Sequence, residues 1–345
     1  MLNLHLCVPG TPVRCVLGVE MKTLPVKSME FVFNRLMYSV GPGVIVWELL
    51  FRRARWALQG AVERDGFLKA DANKEKLVRD GPSYIVAFVH ACIVGGLGLT
   101  HLFALVNAPA EVQLAIPWNR DHPWHVPAAM TERTNSIFLS WLLYDLGHVI
   151  LSYPHLGGID TIAHHVGFIF ASAVCGAFRI LPFPFAWLTV GELSSIALNV
   201  RWGLINTGRG DTSALRYAQT TFAVLFIATR IVLYGLGLYY LLEQQWKLLL
   251  ARQKTPMESP IETPLLLAPV AHVPIWLLGT VCGLLVGGYG LNLVWLGKIL
   301  HMATKPHEKK AGADKGGSSR NEKRAEARNE AKRKSREGGK AEKAA

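Results

Sequence analysis

The sequence is poor in cysteine, with 5 among 345 residues, and none of them forms a CxxC pair. A disulfide framework requires an even set of closely spaced cysteines, and a structural zinc site usually requires paired ones. Neither is therefore the basis of this fold. Three of the cysteines lie within apolar stretches and are interpreted as small packing residues. These are Cys92, Cys175 and Cys282.

The familiar nucleotide and metal motifs are also lacking. The chain has no Walker A motif, no glycine fingerprint of a dinucleotide-binding fold and no HExxH motif. A membrane di-iron enzyme would need several histidine boxes on one side of the membrane, whereas the one HxxH pattern here is His122–His125. The sequence therefore predicts no metal ion and no tightly bound cofactor.

Apolar residues and positive charge are both abundant. Half of the residues are apolar and the mean hydropathy is +0.24, although the formal net charge is +12. Residues 305–345 hold 14 Lys or Arg against 7 Asp or Glu, so this segment carries +7 of the charge. Its low apolar content predicts a disordered, solvated tail, and its charge does not indicate a fold that binds nucleic acid.

Seven apolar stretches approach the 20 or so residues that a membrane-spanning helix needs. They are Phe31–Phe51, Tyr84–Val106, Thr134–Tyr153, Thr161–Ile180, Phe183–Val200, Tyr217–Leu242 and Val273–Leu300. The sequence thus predicts an all-α, polytopic transmembrane helical bundle with about seven spans. The first span is the weakest of them, because it contains Arg35, Glu48 and a Gly41-Pro42-Gly43 break. No internal repeat or discontinuous helix, of the kind typical of transporters, is visible.

The distribution of basic residues predicts the orientation of the bundle. Residues 52–83 and the C-terminal tail are the two strongly basic blocks, and cytosolic segments carry the excess of Lys and Arg. Six predicted spans separate the two blocks, so both lie on the cytosolic side and the N-terminus is lumenal. We divide the chain into five segments. These are a lead of uncertain structure (1–30), a first span (31–51), a basic cytosolic loop (52–78), a six-span domain (79–300) and a disordered basic cytosolic tail (301–345).

Several polar side chains lie inside the predicted spans, where each is costly and requires a reason. They are Asp145 and His148 in the third span, His164 and His165 in the fourth, Glu192, Ser195 and Asn199 in the fifth with Arg201 and Trp202 at its end, and Arg230 in the sixth. With the predicted orientation, most of them fall in the cytosolic half. We therefore expect a shared polar cavity that is open to the cytosol.

Structural roles compete with this interpretation. Glu192 and Arg230 are a natural ion pair within a bundle, and Ser195 and Asn199 are common hydrogen-bonding residues between helices. Adjacent helical residues point about 100° apart, so one histidine of the pair can face a cavity while the other contacts a neighbouring helix. His90 and His101 in the second span are interpreted as packing residues.

The stretch YDLGHVILSYPHLGGIDTIAHHVGFIF, followed by VGELSSIALNVRWGLINTG, resembles the TLC domain. The resemblance rests on Tyr144-Asp145, the pair His164-His165, and Gly191-Glu192-Leu193-Ser194 leading to Asn199 and Arg201-Trp202. It implies an endomembrane bundle that handles lipid, at the endoplasmic reticulum or another endomembrane. One branch, the ceramide synthases, carries aspartates downstream of a paired histidine, whereas this chain has no Asp between Asp160 and Asp211. It is more similar to the small TLC-domain-containing proteins.

Two functions remain open. The first is an acyltransferase that uses acyl-CoA, with His164, His165 and Asp145 as catalytic residues and with lipid bound by the other polar residues of the spans. Those residues are His148, Glu192, Ser195, Asn199, Arg201, Trp202 and Arg230. The second is a non-catalytic protein that binds or senses lipid and so regulates membrane composition or trafficking. Membrane lipids are the expected partners, with a homo-oligomer as a further possibility.

Overall fold

The computed structural model describes residue 34 and residues 36–64, 68–69, 72–254 and 273–304, and these residues are almost all helical. Ten α-helices follow one another in this described part of the chain. They are α1 (Gly41–Val62), α2 (Lys74–Leu105), α3 (Ala110–Leu114), α4 (His125–Leu151), α5 (Ile159–Phe178), α6 (Pro182–Val190), α7 (Glu192–Asn206), α8 (Ser213–Leu225), α9 (Tyr234–Lys254) and α10 (Ile275–Thr304). Two π-helical segments, Leu36–Val40 and Phe226–Leu233, precede α1 and join α8 to α9.

The all-α polytopic architecture predicted from the sequence is confirmed. Within the described residues, four helical segments are long and apolar enough to cross a membrane: Lys74–Leu105, Ile159–Phe178, Ser213–Lys247 and Ile275–His301. The other three predicted spans coincide with α1, with α4 and with the pair α6 and α7, which are shorter or carry more polar residues. The count of seven spans stays a prediction.

The first helix differs from its prediction. It continues through the start of the expected loop 52–78 and ends at Val62, and α2 then begins at Lys74. The arginines in this stretch did not end the helix because Arg is a good helix former. Near the other end of α1, Gly43 lies so close to α4 that a Cβ atom there would be 2.5 Å from Ser140 Oγ. Trp47 Nε1 donates a hydrogen bond to the same oxygen at 3.0 Å.

The predicted fifth span is interrupted, contrary to the uninterrupted helix expected from its sequence. Helix α6 ends at Val190 and α7 begins at Glu192, with Gly191 between them. The Gly191 N–H bonds to Leu188 O, three residues back rather than four, and this shortened turn breaks the α-helical hydrogen-bond pattern. The interruption leaves the Gly191 carbonyl available to a side chain.

Backbone hydrogen bonds join segments that the charge pattern assigned to the same side. Lys69 N donates to Thr207 O at 3.4 Å, and Asn73 N donates to Asn206 O at 3.0 Å, so the α1–α2 connection lies at the end of α7. At the other end of the bundle, Leu181 N donates to Leu114 O at 2.7 Å. These contacts agree with the predicted alternation of the spans.

The largest apolar cluster surrounds the buried indole of Trp187 on α6. Side chains from α5, α9 and α10 pack around it, among them Val174, Leu238, Leu241, Leu278 and Val281. Helix α9 approaches the indole so closely that a Cβ atom on Gly237 would lie 2.5 Å from the ring. A glycine is therefore required at this crossing. The chain has two compact units, Met1–Leu296 and Gly297–Ala345, and this core lies in the first. Residues 297–304 of the second unit form the end of α10. The predicted lead 1–30 and the tail beyond Thr304 lie outside the described residues.

Candidate functional site

A cavity of about 720 Å³, its open mouth included, lies between α4, α5, α6, the π-helical segment and α10. Its polar lining comprises His164, Ser172, Thr189, Glu192, Arg230 and Asn292. Its apolar lining includes Phe138, Phe168, Phe185, Leu181, Val281 and Leu285. The composition, mainly apolar with a few polar groups, is typical of small-molecule sites.

The ionisable side chains of the cavity lie toward one end, and the other end is mainly apolar. Helices α5 and α10 run antiparallel along it, because His164 lies beside Trp295 while Phe168 lies beside Gly288. His164 and Asn292 therefore share one end, and Cys175 on α5 lies eleven residues away, or about 16 Å along the helix. The arrangement suits a molecule with one polar group and one long apolar chain.

His164 contributes the cavity's histidine. Its ring centroid lies 4.6 Å from that of Phe168 and 5.4 Å from that of Trp295, so aromatic contacts hold the imidazole. Its Nδ1 atom is buried and has no hydrogen-bond partner among the described residues. A buried nitrogen without a partner is costly in a folded protein and often indicates a ligand or a catalytic role.

His165 has a different environment. Its Nδ1 lies 2.9 Å from Thr161 O, and its Nε2 lies 2.9 Å from Asp145 Oδ2. A carbonyl oxygen can only accept a hydrogen bond, so Nδ1 carries a proton. Nε2 makes an ion-pair contact with the carboxylate, without the geometry of a hydrogen bond. Thr161 and Asp145 therefore hold the His165 ring, and the catalytic role predicted for one histidine of the pair stays a prediction.

Arg230 connects the π-helical segment to Gly191 and the start of α7 at the polar end. Its Nε donates to Gly191 O at 3.2 Å and to Ser194 Oγ at 3.0 Å. Its Nη2 donates to Glu192 Oε1 and to Ser195 Oγ, each at 3.0 Å. The ion pair that was the structural alternative for Glu192 is thus present. Arg230 lies within the π-helical segment Phe226–Leu233, and such segments are frequent at functional sites.

The other predicted residues do not line this cavity, and the single shared cavity stays a prediction. His148 Nε2 contacts Glu48 Oε2 of α1 at 3.1 Å. The Trp202 indole stacks on Tyr84, with 4.0 Å between the ring centroids. Asn199 and Arg201 are half-buried on α7 and do not line the cavity. Residues that share a depth in the bundle need not share a face, and this explains the difference.

Asn292 lines the cavity but was not among the residues predicted from the sequence, and the same is true of Ser172 and Thr189. Asn292 is buried in α10 at 3% exposure, and its Oδ1 has no hydrogen-bond partner among the described residues. The signal for Asn292 was a single amide in a mainly apolar span, and an amide is a weaker signal than an ionisable group. Among the described residues, no group of three or more His, Cys, Asp or Glu side chains is arranged to hold a metal ion.

The fold and cavity together define an integral membrane protein, an α-helical bundle around a buried and partly polar site. A family model for the TLC domain matches residues 82–301, more than half of the chain, so this protein belongs to the TLC domain family. The chain is 26% identical to TLC domain-containing protein 4-B of Danio rerio over 198 aligned residues. The aligned segment covers 57% of this chain and 69% of the relative. The resemblance to the small TLC-domain proteins, rather than to the ceramide synthases, is confirmed.

Proposed function

We propose that this protein handles lipid as an acyltransferase, with acyl-CoA as the donor and His164 as the general base. The cavity is the observation that supports the proposal. Its polar end carries a buried imidazole nitrogen without a partner, and its other end is apolar. A lipid acceptor would place its reacting group beside His164 and its chain toward Cys175, Val281 and Leu285.

The chemistry needs one proton transfer and one leaving group. His164 removes the proton from a hydroxyl or amine of the acceptor as that group attacks the thioester carbonyl carbon. The carbon–sulfur bond then breaks, and the coenzyme A thiolate leaves and takes up the proton from His164. Arg230 uses Nε and Nη2 in the bonds described above, which leaves the two N–H groups of Nη1 to stabilise the negative carbonyl oxygen.

Asp145 and His165 act as positioning residues in this proposal. Their contact fixes the first turns of α5 against α4, and His164 occupies the adjacent position on α5. The ring centroids of His164 and His165 lie 5.8 Å apart. A shift of this pair would therefore move the imidazole at the cavity.

The predicted orientation supports acyl-CoA as the donor. His164 lies near the start of the fourth predicted span, in the cytosolic half. The charged head of acyl-CoA cannot cross the hydrocarbon, so a cavity that opens to the cytosol is the one it can reach. We propose the endoplasmic reticulum or another endomembrane as the location, with the N-terminus lumenal and the C-terminus cytosolic.

The test is acyl transfer by the purified full chain in lipid nanodiscs, measured as radiolabelled product and as released coenzyme A thiol. Loss of the general base is expected to lower the rate by about 100-fold in His164→Ala. His148→Ala is the matched control, since His148 lies outside the cavity, and it should stay within threefold of the wild type. The His164→Ala protein must carry the same amount of bound lipid as the wild type for the rates to be compared. If its acyl-transfer rate then equals that of the wild type, His164 is not the base.

A non-catalytic lipid-binding function is the second candidate, and the pairing of the polar residues favours it. Glu192 is paired with Arg230, and Asp145 with His165, so these groups could serve the bundle alone. Under this function, the wild type retains lipid in the cavity but transfers no acyl group from any acyl-CoA. Replacing His164 would then change lipid retention, and no thiol would be released by any variant.

A further inference from the structure

The polar end of the cavity presents a specific set of hydrogen-bonding atoms. His164 Nδ1 and Asn292 Oδ1 are both buried without partners among the described residues, and both residues line the cavity. An imidazole nitrogen can accept one hydrogen bond, and an amide oxygen can accept two. Arg230 lines the same cavity, and its bonds to Gly191, Glu192, Ser194 and Ser195 use Nε and Nη2, which makes Nη1 the candidate donor. A ligand that satisfies this set must offer at least two donor hydrogens and one acceptor oxygen.

The same end of the cavity carries no excess charge. Glu192 and Arg230 are its two ionised lining residues, and their side chains form an ion pair at 3.0 Å with only 15% and 13% exposure. Asp145 and His165 behind them are paired as well. An anionic headgroup would lose its hydration here and find no uncompensated cation, and that combination is strongly unfavourable.

We infer that the cavity selects a single-chain lipid with an uncharged, hydroxylated headgroup, and that Asn292 is the residue that recognises this headgroup. A glycerol headgroup with two free hydroxyls meets both requirements, since it offers two donors and several acceptors without charge. Phosphate and carboxylate headgroups meet neither. The inference rests on the proposed function only in that the cavity holds a lipid, and it does not depend on acyl transfer.

Binding to the purified full chain in detergent micelles tests the headgroup preference. Radiolabelled monooleoylglycerol is the probe, and oleoyl lysophosphatidate is the competitor, because the two share one acyl chain and differ in the headgroup. Monooleoylglycerol is expected to bind the wild type at least about tenfold more tightly. Equal or tighter binding of lysophosphatidate would overturn the inference.

Asn292 is tested against a matched amide elsewhere in the bundle. Asn292→Leu removes the acceptor with little change in volume, and we expect the Kd for monooleoylglycerol to rise about tenfold, as for the loss of one buried hydrogen bond. Asn199→Leu is the control, because Asn199 lies outside the cavity lining, and its Kd should stay within twofold of the wild type. Equal effects of the two substitutions would show that Asn292 does not recognise the headgroup.

A charge substitution tests the neutrality argument. Glu192→Gln leaves Arg230 without a counter-charge, and the preference should then shift toward lysophosphatidate by about tenfold or more. The double variant Glu192→Gln/Arg230→Gln restores neutrality and should again prefer monooleoylglycerol, while thermal unfolding checks that each variant is folded. An unchanged preference in folded Glu192→Gln would contradict the inference. A neutral-lipid preference without thiol release would contradict the acyltransferase proposal alone.

Discussion

Helix α4 makes two histidine–carboxylate contacts one turn apart, and the two contacts have different roles in the bundle. Asp145 lies 2.9 Å from His165 of α5, with side-chain exposures of 15% and 7%. His148 lies 3.1 Å from Glu48 of α1, with exposures of 21% and 35%. The first contact adjoins the cavity, whereas the second ties α1 to the bundle.

The surroundings distinguish the two contacts. His165 lies next to His164, whose Nδ1 has no hydrogen-bond partner among the described residues and which lines the cavity. Glu48 also binds Arg52 Nε at 2.8 Å, and the His148 ring packs on Phe51 with 4.3 Å between centroids. A histidine beside a carboxylate is therefore a weak indicator of function, and an unsatisfied neighbour in a cavity is a stronger one.

The largest loss in the free energy of unfolding is expected at the buried contact between Asp145 and His165. Asp145→Asn leaves the His165 ring without its counter-charge in a buried position, and the free energy of unfolding should fall by about 3 kcal/mol. Thermal unfolding in detergent micelles measures this change, with Asp121→Asn in an exposed loop as the control. An unfolding temperature equal to that of the wild type would mean that the contact contributes nothing to stability.

An intermediate loss in the free energy of unfolding is expected at the contact between α1 and Ser140 of α4. Ser140→Ala removes the acceptor of the buried Trp47 N–H, at a cost of about 1.5 kcal/mol. A double-mutant cycle with Trp47→Phe isolates the bond, since the combined variant should lose less than the sum of the single ones. Strict additivity in this cycle would show that the hydrogen bond is not made.

The smallest loss in the free energy of unfolding is expected at the more exposed contact between Glu48 and His148. Glu48→Gln should lower the free energy of unfolding by less than about 1 kcal/mol, because a third of the Glu48 side chain is exposed and such pairs contribute little. Glu63→Gln at the exposed end of α1 is the control for a general charge effect. A loss as large as that of Asp145→Asn would remove the distinction between the two contacts.

The sequence predicted the fold better than the site. Apolar length alone predicts where the helices lie, and the 100° step between neighbours anticipated that His164 and His165 would face different surroundings. The contacts of His148, Trp202 and Asn292 depend on how each helix is rotated against its neighbours, and local sequence does not determine that rotation. The interruption at Gly191 was missed for a related reason, since glycine is common within membrane helices.

The π-helical segment Phe226–Leu233 also has a consequence for how relatives are aligned. Each turn of a π-helix takes in an extra residue, because its hydrogen bonds reach five residues back instead of four. A relative with a regular α-helix here would be one residue shorter between its counterparts of Ser213 and Gly237. An alignment without a gap would then pair Arg230 with the wrong neighbour, about 100° around the helix. Arg230 and Gly237 can therefore be compared between relatives only after this one-residue difference in length has been allowed for.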